Sequence, residues 1–378
     1  MRRIRIGVVG VGHLGQAHAR ILAAHPEAHL VGIVDTNTAR AETIARQLQT
    51  RVFDHHLDLA DHVEAVCVVT PTVFHYPVAA DLLRRGIATL VEKPLALDLA
   101  EADELVDLAR RHGALLQVGH IERFNPAYED LKRRPIRPKY IEVERHGTFT
   151  GRSTDIGAVL DLMIHDLDLL LDLLGEPAVE VHALGMTVFG KHEDMATARL
   201  KFAGGCIAHL TASRMSPQPK RKMRIWSAEG YAGLDFCDKR LTLVQPSPQL
   251  RAQGLPTRGL PPEERVALAE QVFTRHLQTR ELTHSGLPDQ LTCELSSFLE
   301  CVRTGMEPRV SGEAARDAIA LAERILHSLR HHAWDNHPAG PVGPDDLPLP
   351  LGALFDADAD AHADTDPDTD TRKRRAAA

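Results

Sequence analysis

The sequence predicts an α/β protein in which an N-terminal doubly wound parallel sheet precedes a C-terminal α+β unit built on a mostly antiparallel open sheet. Three observations lead there. Over residues 4–119 short β-branched runs alternate strictly with helical periods; after Asn125-Pro126 strand-like runs cluster; and 378 residues exceed a comfortable single core.

In the first region the runs Ile4 to Val9, Leu30 to Val34, Ala65 to Val69, Ala88 to Val91 and Leu115 to Val118 read as strands. Helical stretches such as Gln16 to Ala24, Thr38 to Gln47 and Leu99 to His112 fall between them, and such alternation implies right-handed crossovers and a sheet covered on both faces. In the second region Tyr140 to Arg145, Val179 to Phe189, Thr197 to Phe202, Cys206 to Ser213 and Met223 to Ser227 alternate apolar with polar residues, as strands with one face open do. Helical patterns near Gln290 to Arg303 and Ala314 to His331 close the fold. The expected division is therefore 1–122 for the doubly wound domain, 123–335 for the α+β domain, and 336–378 for a disordered tail. That tail is Pro/Gly-rich, then Asp/Ala/Thr-rich, with almost no large apolar residue past Phe355 to offset its ordering entropy.

A formal net charge of -8 with 25% charged residues argues against a dedicated polyanion binder, so no nucleic acid is expected. The five cysteines (Cys67, Cys206, Cys237, Cys293, Cys301) are scattered and form no C-x-x-C pair, which points to neither a disulfide framework nor a metal site and fits a reducing cytoplasm. Met1-Arg2-Arg3 before Ile4 to Val11 superficially resembles the start of a leader peptide. That apolar run is short and carries straight into a glycine pattern, and no stretch approaches the ~18 apolar residues of a membrane span, so a soluble protein is expected.

The glycine pattern is Gly10-x-Gly12-x-x-Gly15, immediately after the first strand and at the opening of a helix. Gly10 permits the tight turn, Gly12 lets backbone approach a pyrophosphate, and Gly15 allows close helix–strand packing; the helix N-terminus offers free N–H groups to the anion. Asp35 follows the third glycine by 35 − 15 = 20 residues at the end of the second strand, the distance expected of a ribose-binding carboxylate. Its oxygens suit a free 2'-hydroxyl and repel a 2'-phosphate, so NAD is favoured over NADP. Arg40 keeps NADP as the lesser alternative, since it reaches a 2'-phosphate if Asp35 points away.

Glu92-Lys93-Pro94 closes a strand at the carboxyl edge of the parallel sheet, where ligands of such folds bind, and an ammonium there could steady a developing alkoxide. Downstream, Asp161, His165, Asp168 and Asp172 fall on one stripe of an apolar helix at a 3.6-residue period, with Asp166 off it. Oxidation of an alcohol needs a base near neutrality, which histidine provides, and a carboxylate one turn earlier could orient it. The stripe reads equally well as the wet face of an amphipathic helix.

Together, Gly10-x-Gly12-x-x-Gly15, Asp35, Thr70-Pro71-Thr72 with His75, Glu92-Lys93-Pro94, Arg123-Phe124 and Asp161-x-x-x-His165 resemble the glucose-fructose oxidoreductase / inositol dehydrogenase / rhizopine catabolism (Gfo/Idh/MocA) family over roughly residues 1–330. The resemblance implies catalytic roles for Lys93, Asp161 and His165. It implies cofactor contacts from Gly10, Gly12, His13, Leu14, Gly15, Asp35, Arg40, Thr70, Pro71, Thr72, His75, Glu92 and Lys93, and a second domain that holds a sugar and takes part in homo-oligomers. Whether lysine or histidine is the base differs among members. Family substrates span cyclitols, free sugars, nucleotide sugars, glycosides and tetrapyrroles, so the fold does not choose.

Two stretches, residues 119–127 and Ser213-Arg214-Met215-Ser216 with Lys220-Arg221-Lys222-Met223-Arg224, are similar to a subgroup that oxidises the 3-hydroxyl of UDP-N-acetylglucosamine. That subgroup feeds a PLP-dependent aminotransferase in making the 2,3-diamino sugar of lipid A. A basic cluster also suits a diphosphate, which a neutral cyclitol lacks, although a solvated hairpin is an equal reading of it. His120, Arg123, Asn125, Arg214, Lys220 and Arg221 are the expected substrate contacts. The rival readings are a cyclitol or free-sugar dehydrogenase and, in another class, a non-catalytic sugar-responsive regulator.

Overall fold

The computed structural model describes residues 2–151, 155–189, 191–255, 259–334 and Gly340. The tail expected over 336–378 lies outside the described residues apart from that glycine.

The first sheet consists of β1 (Ile4–Val9), β2 (Ala28–Val34), β3 (Arg51–Phe53), β4 (Ala65–Val68), β5 (Ala88–Glu92) and β6 (Leu116–Gly119). All pairs are parallel, in the order β3-β2-β1-β4-β5-β6, the doubly wound arrangement the alternation predicts. The crossovers carry α1 (His13–Ala24), α2 (Thr38–Leu48), α3 (His56–Ala60), α4 (His75–Arg84) and α5 (Leu99–His112). The sequence reading did not place β3, α3 or α4. β3 has three residues, too few to establish a period, and α4 carries Pro77 in its first turn, which a helix start tolerates but which reads along the chain as a break.

After a 3-10 turn at Ile121–Phe124, the chain runs through α6 (Pro126–Lys132), β7 (Pro138–His146), a π-helical turn at Val159–Met163, and α7 (Ile164–Leu174). β8 (Ala178–Met186), β9 (Met195–Phe202), β10 (Ile207–Ser213), β11 (Lys220–Ser227), β12 (Tyr231–Asp235) and β13 (Arg240–Pro246) follow. Then come α8 (Pro248–Gln253), α9 (Pro262–Gln271), β14 (Leu277–Thr283), α10 (Gln290–Thr304) and α11 (Gly312–Arg330). The second sheet has the order β14-β13-β12-β11-β7-β10-β9-β8 and is antiparallel except between β7 and β10.

Period-2 alternation sorts this sheet. Ile141, Val143, Met223 and Ile225 are buried on the face that packs against α7 and α11, whereas Tyr140, Glu142, Lys222, Arg224 and Trp226 lie on the opposite, open face. One core cluster runs from α4 and α5 through α7 and α11 to that buried face, so the two sheets share a hydrophobic interior. A second cluster fills the other side of the parallel sheet beneath α1 and α2, and Leu295, Phe298 and Leu299 of α10 belong to it. Late chain thus returns to the first sheet. Among the described residues no helix is long and apolar enough to cross a membrane.

Candidate active site

The carboxyl edge of the parallel sheet is shaped by backbone. Gly10 has φ +89°, and a Cβ on it would stand 2.4 Å from the Val69 carbonyl oxygen; a Cβ on Gly15 would stand 1.9 Å from the Gly10 carbonyl oxygen. Gly12 faces open space, and His13 and Leu14 are exposed at the N-terminus of α1, so a phosphate can reach the helix N–H groups. At the tip of β2, Asp35 Oδ2 accepts the Val11 N–H at 2.8 Å, while Oδ1 accepts the Asn37 N–H at 2.8 Å and an Arg40 Nη2 proton at 2.7 Å. Burial raises the pKa of this carboxyl, but Arg40 and the two backbone donors outweigh it and hold it below the usual carboxylate range. The Asp35 side chain is only 4% exposed with both oxygens engaged, and the open glycine loop beside it leaves the helix N–H groups accessible to a dinucleotide phosphate.

Thr70, Pro71 and Thr72 follow β4, and the buried Thr70 Oγ1 has no hydrogen-bond partner among the described residues. His75 is placed otherwise than expected. Its ring is fully buried, with Nε2 2.9 Å from the Thr70 carbonyl oxygen and Nδ1 2.7 Å from that of Pro94. It therefore braces two turns against each other instead of reaching a cofactor. Glu92 likewise turns inward: its Oε1 meets His18 Nε2 at 2.9 Å and its Oε2 accepts the Lys93 N–H at 3.2 Å.

Lys93 leaves β5 toward the second sheet. Its Nζ donates to Asp161 Oδ1 at 2.9 Å and to the Asp161 carbonyl at 2.7 Å, spanning 68 residues of sequence. His165 lies beyond, in α7, with Nδ1 buried and unpartnered among the described residues and its ring edge-on to His120 at 6.1 Å. Burial first, then the charges of Lys93, Arg145 and Arg221 with the His120 ring, push the His165 pKa well below its ordinary value. The imidazole is neutral at neutral pH and able to accept a proton.

One expected pairing is corrected: the Asp161 carboxylate is held by Lys93, not by His165. Val159–Met163 winds as a π-helix, with the Ile164 N–H reaching the Val159 carbonyl, and this changes the phase between Asp161 and the α-helical residues after it.

Four of the six expected substrate contacts are committed to the protein. Arg123 donates Nε and Nη2 to Asp168 at 2.7 and 2.6 Å and Nη1 to Asp172 at 2.9 Å, so the acidic stripe of α7 past His165 is a counterion to this buried arginine. Asn125 caps α6 through the Ala127 N–H and donates to the Phe236 carbonyl. Arg214 is buried against Asp194 and the Ile156 carbonyl. Lys220 alternates onto the open face, where Glu144 holds its ammonium at 2.7 Å. Each has a buried or paired donor set, which a ligand would have to break.

His120 and Arg221 remain at the site. His120 is buried against His165 and neither ring nitrogen has a protein partner among the described residues. The Arg221 side chain is 51% exposed on the α7 side of β11, 4.0 Å from Glu122 Oε1. It lines a cleft of about 560 Å³ with His146, Ser216 and Cys237, whose rim Lys220 also reaches. A second cleft of about 500 Å³, between α7 and α11, holds Arg123; neither cleft is lined by Lys93, Asp161 or His165.

Sequence reading missed Arg145, which Asp166 clasps with both oxygens at 2.8 and 2.9 Å and Glu122 meets at 3.0 Å. Asp166 lies off the acidic stripe of α7 and is buried, so it requires a cation, but nothing in the sequence pointed to Arg145 as that cation.

Residues 4–120 match a family model described as the oxidoreductase family with NAD-binding Rossmann fold, and residues 119–232 match the GFO/IDH/MocA C-terminal domain. The chain is similar to a UDP-N-acetylglucosamine 3-dehydrogenase of Acidithiobacillus ferrooxidans, 37% identical over 328 residues, covering 86% of this chain and 97% of the relative. It is similar to a scyllo-inositol 2-dehydrogenase (NAD(+)) of Bacillus subtilis at 32% identity, covering 87% and 95%. A solved structure of the Acidithiobacillus ferrooxidans enzyme superposes with TM-score 0.76, covering 87% of this chain and 98% of that one. A levoglucosan dehydrogenase solved with NADH and levoglucosan, at 18% identity and TM-score 0.73 over 86% and 97% of the chains, shares the fold.

Proposed function

The chain belongs to the GFO/IDH/MocA oxidoreductase family, and from that premise we propose that it oxidises a secondary sugar hydroxyl with NAD, the substrate being UDP-N-acetylglucosamine and the product its 3-keto sugar. The observation that carries the reading is the Lys93–Asp161 ion pair at the carboxyl end of β5, the same sheet edge at which β1 opens into the glycine loop, with His165 close enough to feel the Lys93 charge. The 37% identical relative, matched over nearly its whole length, supports the choice of substrate.

When bound, the nicotinamide supplies a hydride acceptor. The backbone N–H groups that open α1 and the Asp35 carboxylate hold the dinucleotide. Neutral His165 accepts the hydroxyl proton, and the Lys93 ammonium, aimed by Asp161, donates a hydrogen bond to the oxygen as charge builds on it. Arg221 meets the diphosphate, and His120 lies behind the imidazole. In this reading Asp161 positions the lysine, which the two hydrogen bonds it accepts from Lys93 Nζ support.

Further proposals follow from the same reading: a cytoplasmic enzyme, a PLP-dependent aminotransferase that consumes the keto sugar toward lipid A, and a homo-oligomer. The last is supported by Tyr140, Trp226 and Tyr231, which pack ring on ring along the open sheet face, with Trp226 partly exposed. Light scattering reads the mass.

The function is tested by following nicotinamide absorbance with NAD+ and either UDP-N-acetylglucosamine or myo-inositol. Reduction with the nucleotide sugar supports the proposal. Reduction with inositol alone supports the second reading, a cyclitol dehydrogenase, which the 32% identical inositol enzyme favours. Nucleotide-sugar binding without NADH formation would indicate a regulator.

A further inference from the structure

Phe149 and Phe189 are 43% and 50% exposed, yet their rings pack on each other with centroids 4.5 Å apart and planes tilted by 37°. Buried polar groups hold them in place. The Val188 and Phe189 N–H groups both donate to Asp194 Oδ2, at 2.6 and 2.7 Å, and Asp194 Oδ1 accepts from Arg214 Nε at 2.5 Å. Arg214 in turn lies 5.9 Å from the centre of the Phe149 ring and donates Nη1 to the Ile156 carbonyl. Asp194 and Arg214 are buried, so a desolvated ion pair fixes two rings that themselves stay in solvent. Rings held outward in this way leave apolar surface in water, which a flat ligand laid on them removes.

Their location narrows the ligand. Lys220, His146, Ser213, Met195 and Met186 form one row of cross-strand partners over β11, β7, β10, β9 and β8, so the connections at this end of the second sheet lie side by side. At ~4.8 Å per strand the row spans about 19 Å. Phe149 follows β7 by three residues, Phe189 follows β8 by three, and Arg221 stands one residue inside the row on β11. The Ser216 N–H donates to the Gly147 carbonyl at 3.2 Å, which joins the Phe149 loop to the cleft that Ser216 lines with Arg221. Glu193, four residues past Phe189, accepts the Ala158 N–H at its carbonyl and the Val159 N–H at Oε1, at 2.8 and 2.9 Å. That ties the Phe189 loop to the π turn carrying Asp161, the partner of Lys93. An aromatic pair, a half-exposed guanidinium and the Lys93–Asp161 pair thus belong to adjoining loops.

We propose that Phe149 and Phe189 are specificity-determining residues for the oxidation described above, on which this inference rests: the nucleobase of the sugar nucleotide stacks on the exposed faces of their rings. Every base has a π-face and phenylalanine offers no hydrogen bond, so the pair selects for the presence of a base without reading which one. Three chemistries then correspond to the three parts of the ligand, with rings for the base, Arg221 for the diphosphate and Lys93 for the sugar. A cyclitol has neither base nor phosphate and leaves rings and guanidinium idle. Arg214, expected from the sequence to touch substrate, acts at one remove by backing Phe149.

The test titrates UDP and inorganic pyrophosphate calorimetrically into the full chain and its Phe149→Ala/Phe189→Ala and Phe149→Tyr/Phe189→Tyr variants. The alanine variant should bind UDP about tenfold or more weakly and raise KM for UDP-N-acetylglucosamine alike, while the tyrosine variant stays within about threefold. Pyrophosphate, which has no base, should bind all three within about twofold of one another. Retained UDP affinity in the alanine variant, or equal loss of UDP and pyrophosphate, overturns the proposal. So does a fall in the mass of that variant by light scattering, which would make the rings a contact between copies. A parent that reduces NAD+ with the nucleotide sugar while the alanine variant keeps its UDP affinity breaks this inference alone. A parent that loses UDP with its rings, yet reduces no NAD+ with the nucleotide sugar, breaks the reaction proposed above and leaves the base site standing.

Discussion

Arg145 and Arg221 are direct cross-strand partners on the same face of the second sheet, yet they live in opposite electrostatic conditions. Arg145 is buried and bound by Asp166 and Glu122; Arg221 is half exposed and, among the described residues, no nearer than 4.0 Å to a carboxylate. Two adjacent cations on one face are tolerable because the inner one arrives neutralised. The same contrast separates Arg123 and Arg214, each locked onto acids, from the glycine loop, where an anion site is made from backbone alone. Positive charge on a substrate domain is therefore no measure of charge offered to a substrate; the count of unspent donors is.

Breaking the contrast at its functional centre has the largest expected effect. His165→Asn should lower turnover by about 10²- to 10⁴-fold while NAD affinity, read by fluorescence titration, stays close to the parent; unchanged turnover would remove His165 from the chemistry. Arg145→Ala strands two buried acids, and an unfolding free energy lower by about 3–5 kcal/mol in denaturant melts is expected. Arg221→Ala, its cross-strand neighbour, should leave the melt within about 0.5 kcal/mol and raise KM for the nucleotide sugar by roughly tenfold with kcat little changed. If instead Arg221→Ala unfolds the chain and Arg145→Ala does not, the comparison is inverted. Lys220→Ala should change neither quantity by more than about 1 kcal/mol, since its partner is a surface glutamate.

A pH profile sharpens the same point. His165 must be neutral to accept a proton, and its pKa in the folded chain lies well below 6.5. The acid limb of kcat/KM assigned to it should therefore fall below pH 6.5, with activity retained above, and His165→Asn should abolish that limb. Because the unfolded chain binds this proton more readily than the folded one, protonation of His165 also costs stability as pH drops below 6.5.

Much of the fold was legible. Strand–helix alternation, the three glycines and Asp35 are local signals, each set by a few contiguous residues whose backbone needs are strict: Gly10 occupies a left-handed conformation and Gly15 sits where a Cβ would collide. Lys93 and His165 were also singled out from their sequence context. Their relation to Asp161 was not, because a periodicity argument assumes uniform α-helix and the π turn at Val159–Met163 breaks that assumption. Arg123 was misread for a different reason: the acids that claim it are 45 and 49 residues away.

What the sequence by itself determined is the material of the site: a dinucleotide loop, a lysine at the end of a parallel strand, a histidine in an apolar helix, and the domain order that presents them. Those features are specified by spacing, and spacing is preserved along a chain. Tertiary structure alone decided which charges are free. An arginine's availability depends on carboxylates brought from distant segments into a low-dielectric interior, where pairing is far stronger than in water, and no linear period encodes that.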